Sequence, residues 1–178
     1  MQKYIPAFLL IILGVSTRLL PHPANFAPIA AIALFAGIYL PKKFAIILPL
    51  VAMLVSDFLL GFYLWPVMVS VYLSFVITGF IGLGIQKQKK ASTILGGTLL
   101  ASILFFIITN GAVWAFGTMY THNLNGLLQS YLMALPFFKN TLLGDLFYTG
   151  ILVGSMEVIQ NYTLNKNLVS KLEAPITK

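Results

Sequence analysis

Long apolar blocks with at most two charges each, separated by short segments rich in proline, lysine or asparagine, dominate this chain. A helix needs about 20 apolar residues to cross a bilayer, and the blocks predict helices over about 4–20, 26–40, 44–60, 67–85, 92–116 and 140–162. Pro21-His22-Pro23-Ala24-Asn25 separates the first two, because residues before proline avoid the helical region. Pro28 sits in the tolerated first turn of the second helix, and Pro41-Lys42-Lys43 ends it. Pro49 marks a kink in the third. No formal charge occurs from Ala91 to Phe138, a stretch too long for one span, so it must turn near Gly117 and Thr121–Gly126. Residues 124–135 then read as a short interfacial or re-entrant helix, and Asn140 as the N-cap of the last span. Lys3 ahead of an apolar run could open a signal peptide, but Val15-Ser16-Thr17-Arg18 lacks a small-x-small cleavage site, which predicts a retained helix.

Composition sharpens the assignment. Of 178 residues, 59% are hydrophobic and 8% charged, against about 25% charged in soluble domains. So few charges cannot cover a soluble globule of this length. Six spans use about 120 residues, which predicts one transmembrane domain over 1–178 and an all-α integral membrane bundle. The absence of cysteine excludes disulfides, thiolate zinc sites, iron–sulfur clusters and cysteine nucleophiles.

The net charge of +7 does not indicate nucleic acid, because the basic residues lie between apolar blocks rather than on one polar face. It carries topology. With both termini cytoplasmic, the inner segments hold Lys3, Lys42, Lys43, Lys87, Lys89, Lys90, Lys166, Lys171 and Lys178, and the outer ones only Arg18 and Lys139. Nine against two is the bias expected of a multi-pass protein of the cell (inner) membrane.

That topology gathers the unusual polar residues at the outer end of the bundle: Arg18, His22, Asn25, Asp57, Asn110, Trp114, Tyr120, His122, Asn140 and Asp145. Ionisable groups at membrane depth are costly and face a cavity or a partner, so these ten are the candidate ligand-binding residues. Plainer readings stand beside this one. Arg18 suits snorkelling to headgroups, Asp57 a pairing with Arg18, Asp145 the dipole of an early helical turn. Trp114 and Tyr120 also suit an interfacial belt. No catalytic, metal-binding or Walker motif occurs, which predicts a protein that is not an enzyme and has no cofactor. Small residues at Ala27, Ala31, Ala33 and Gly37 allow close helix approach, either within the bundle or as a docking face for another subunit.

Arg18-Leu19-Leu20-Pro21, Asn25-Phe26-Ala27-Pro28-Ile29, the alanine-rich helix ending at Gly37, and Ser56-Asp57-x-x-x-Gly61 together resemble the first three helices of energy-coupling factor (ECF) transporter S components. Thr109-Asn110-x-x-x-Trp114 through Gly144-Asp145 resembles an uncharacterised putative transport protein. The resemblance implies a six-helix substrate-binding subunit with both termini inside. Such a subunit captures a micronutrient from outside and works with a transmembrane coupling subunit and ATPases. It normally docks through the first helix, whereas the small-residue face here is on the second. Two alternatives remain: a self-sufficient proton-coupled carrier using Asp57 or Asp145, and an accessory membrane protein without a substrate.

Overall fold

A computed structural model describes the backbone over residues 5–172 and the side chains over residues 5–163. The described residues form six helices: α1 (Ile5–Leu19), α2 (Ile29–Tyr39), α3 (Phe44–Leu60), α4 (Trp65–Ile85), α5 (Ala91–Phe116) and α6 (Leu124–Leu172). Three segments, Trp65–Ile85, Ala91–Phe116 and Leu124–Thr163, are long and apolar enough to cross a membrane.

α2 is the axis. It approaches all five other helices, which form an open ring in the order α1, α3, α4, α5, α6. Between α1 and α6 there is no close backbone approach among the described residues. Every residue from Ile29 to Ile38 is buried, as expected for a helix that is apolar on all sides. At 11 residues and about 1.5 Å per residue, α2 is much shorter than a bilayer core of about 30 Å. The outer ring, by contrast, exposes large apolar side chains such as Phe58, Leu73, Phe80 and Ile103.

The small-residue stripe of α2 serves this internal packing. Ala31 and Ala33 are 1% and 0% exposed, and a Cβ on Gly37 would lie 2.6 Å from the Gly79 carbonyl oxygen of α4. In return, a Cβ on Gly82 would collide with the Leu34 carbonyl of α2, while one on Gly79 would collide with the Ala45 carbonyl at the start of α3. The expected docking face at Ala27, Ala31, Ala33 and Gly37 is therefore corrected. Ala27 is half-buried, and the other three lie inside the bundle, where no second subunit reaches them.

A second correction concerns the C-terminal third. Residues 124–135 and 140–162 are parts of one 49-residue helix containing Pro136. A proline removes one amide donor and usually bends a helix without necessarily ending it. Asn140 is consequently mid-helix rather than an N-cap, and its Nδ2 donates to the Ala24 carbonyl (3.1 Å). The N-cap is Asn123, whose Oδ1 accepts the Gly126 amide (2.9 Å), the bond that satisfies an orphan donor of the first turn.

Candidate functional site

Arg18 ends α1, a position where the helix dipole favours a cation. Its Nη2 lies 2.7 Å from Asp57 Oδ1, and its Nη1 donates to Ser56 Oγ (2.5 Å). Asp57 is 1% exposed, and its other carboxylate oxygen accepts Tyr72 Oη (2.8 Å). Both oxygens and the charge of Asp57 are thus met within the bundle. The pairing of Asp57 with Arg18 expected from the sequence is present, but Asp145 takes no part in it. Asp145, on α6, instead accepts Ser102 Oγ of α5 at Oδ2 (2.7 Å) and has no cationic partner among the described residues.

Beside these groups a cavity of about 360 Å³ opens between the helices. Arg18, Asn25, Tyr63, Phe75, Phe105 and Asp145 are among its lining residues, and His22 and Ala27 also face it. A neighbouring cavity of about 210 Å³ shares Asn25, Val71, Phe105 and Thr141 and adds Asn110. Phe75 and Phe105 form a paired aromatic wall, with ring centroids 5.3 Å apart. Tyr63 lies in the α3–α4 turn. Burial, followed by the nearby Asp57 carboxylate, pushes its phenol up to about 12 against the opposing effect of Arg18, so at neutral pH it keeps its proton and can donate.

Asn25 holds the junction between the two cavities. Its φ of 64° is left-handed, a conformation that only glycine and, to a lesser extent, asparagine and aspartate adopt without strain. We expect Asn25→Gly to keep the fold and Asn25→Ala to lose about 1 kcal/mol, measured as unfolding free energies in detergent. Equal stability of the alanine and glycine variants would refute a conformational role.

The other sequence candidates separate by position. His22 is exposed at the cavity mouth, its Nδ1 2.7 Å from the Leu20 carbonyl. Asn110 reaches the smaller cavity while its Nδ2 donates to the Phe106 carbonyl of its own helix (2.8 Å). Trp114 and His122 form a cluster of their own, the rings edge-on at 6.2 Å. Trp114 Nε1 donates to the Thr121 carbonyl (3.1 Å), and His122 Nε2 lies 3.1 Å from the Gly117 carbonyl. These bonds close the α5–α6 loop. Neither residue lines the two cavities, nor do Tyr120, Asn140 or the buried Asp57. Among the described residues no three of His, Asp and Glu gather into a metal-binding group.

Sequence reasoning missed Tyr63, Phe75, Phe105 and Thr141 as lining residues, and Ser56, Tyr72 and Ser102 as partners of the ionisable groups. Tyr63 could have been found from its place in the turn after Gly61. Phe75 and Phe105 carry no such signal, because a cavity-facing phenylalanine looks like a lipid-facing one in an apolar span.

No curated protein and no solved structure matches the chain. Residues 1–168 match the Family of unknown function (DUF6580), and the chain belongs to that family.

Proposed function

We propose that this protein is a membrane-embedded substrate-binding subunit, which captures a small polar or aromatic molecule from the outer side for uptake. The observation that carries the reading is the cavity of about 360 Å³ with Arg18, Asn25 and Asp145 set among aromatic side chains. Ligand sites are of this kind: about 300–1,000 Å³, mostly apolar, with a few placed polar groups. The lysine bias puts this end of the bundle outside and both termini in the cytoplasm. The resemblance to ECF S components supports the same assignment. Energy for uptake then comes from a coupling subunit and its ATPases, and that subunit meets the outer helices rather than α2.

Topology is tested on the naturally cysteine-free chain. In intact cells an impermeant thiol reagent should label Asn123→Cys and spare Ser92→Cys. Labelling of Ser92→Cys from outside would reverse the orientation and close the cavity to external ligand.

Capture is tested by mass spectrometry of small molecules released from the detergent-purified protein, followed by reconstitution of the chain alone in liposomes. Retention of a compound without its accumulation under a pH gradient is the expected result. Accumulation by the isolated chain would instead establish a self-sufficient carrier, and the absence of any retained compound would favour an accessory protein.

A further inference from the structure

Charge balance around the cavity distinguishes its two ends. The Arg18 guanidinium is neutralised by Asp57 at 2.7 Å and further committed to Ser56. Asp57 is spent on Arg18 and Tyr72. The three groups Arg18, Asp57 and Asp145, when ionised, therefore sum to one negative charge, and that charge lies on Asp145.

Asp145 is 3% exposed. Ser102 satisfies Oδ2, while Oδ1 receives no hydrogen bond from the described residues and is not sealed away as an orphaned buried atom. The side chain lines the cavity, so its free oxygen is accessible there. On its deeper side Asp145 borders Ala30, Ala31, Thr78, Thr98, Ala101 and Thr149, which are hydroxyls and methyls without a cation. Among the other titratable lining groups, Tyr63 is neutral and His22 is at the exposed mouth.

A carboxylate buried without a counter-charge is unfavourable by several kcal/mol, and a ligand that supplies a positive charge relieves this. An anion would face Asp145 and compete with Asp57 for Arg18. A zwitterion would leave the surplus negative charge in place. The Phe75–Phe105 pair adds a surface that attracts cations through its ring faces. We infer that the cavity takes an organic cation whose ammonium group meets Asp145 beside the Phe75–Phe105 wall. This rests on the capture reading above and narrows it to a ligand class.

The test uses four matched probes on the purified full-length protein at pH 7, with binding followed by calorimetry. Phenethylamine is the cation, phenylalanine the zwitterion, phenethyl alcohol the neutral analogue and phenylacetate the anion. We expect phenethylamine to bind at least about tenfold tighter than the other three, and Asp145→Asn to remove that preference, a factor equivalent to about 1.4 kcal/mol. The ranking on the unaltered protein decides the matter even if Asp145→Asn fails to fold. Equal or tighter binding of any other probe overturns the inference while leaving capture standing, as does an unchanged preference in folded Asp145→Asn. No binding by any of the four also overturns it, and the mass spectrum of retained compounds then decides separately whether the capture reading survives.

Discussion

Arg18→Ala is expected to lower the unfolding free energy by about 3–5 kcal/mol, the usual consequence of breaking a buried ion pair by removing one partner. The carboxylate left behind, Asp57, is 1% exposed and keeps only the Tyr72 hydroxyl. Arg18 covers it from the cavity side, so any water that replaces the guanidinium must enter through the cavity. The loss is larger than for a surface pair, where each charge is resolvated and the effect is typically below about 1 kcal/mol. Replacing both partners by apolar residues, as in Arg18→Met with Asp57→Leu, should recover much of the loss, because no charge is then stranded. Denaturant titration in detergent measures both variants. A single-variant loss under about 0.5 kcal/mol would show that Asp57 finds water or another donor.

The second large effect belongs to the close approaches of α4 to α2, at Gly82, and to the start of α3, at Gly79. Gly82→Ala places a methyl group against the Leu34 carbonyl, and Gly79→Ala places one against the Ala45 carbonyl. Backbone atoms cannot rotate aside as a side chain can, so the helices must separate. Overpacking of this kind costs about 1–3 kcal/mol and sometimes more. Gly84→Ala, on the same helix with nothing within 4 Å of its new Cβ, is the control. There the better helix propensity of alanine should give a neutral or slightly stabilising change, up to about 1 kcal/mol. Thermal midpoints of the three purified variants test the contrast. If all three behave alike, the close approach is not what holds α2 at the axis.

That axial position also bears on function. α2 carries Ile29 and Ala30 of the cavity wall, with Ala27 just before it, and packs against α4, which carries Val71 and Phe75. A substitution that pushes the two helices apart should therefore disturb stability and ligand binding together. Ala31→Trp is expected to damage both, because Ala31 is 1% exposed.

Much of the fold was legible from charge placement alone. The spans expected at 44–60 and 92–116 coincide closely with α3 (Phe44–Leu60) and α5 (Ala91–Phe116), because lysine clusters and prolines interrupt helices of this kind chemically. The chain also determined that Arg18, Asn25 and Asp145 would lie near one end, since that follows from counting residues along antiparallel helices. It did not determine which residues those groups would meet. Whether Asp57 or Asp145 takes Arg18 depends on which helices are neighbours, and among the described residues α1 packs against α3 while making no close backbone approach to α6.

The apolar pattern was silent for a related reason. In a soluble helix the polar face marks solvent and the apolar face the core, but a lipid-facing surface is as apolar as a packed one. Phe58, fully outside, and Phe75, in the cavity wall, are alike in sequence. The burial of α2 on every side, the passage of α6 through Pro136 and the isolation of the Asp145 carboxyl were therefore decided only when the helices packed. Each depends on contacts between segments far apart in the chain, and only the cysteine-free composition, the charge-poor apolar blocks and the one-sided polar end were fixed before any such contact formed.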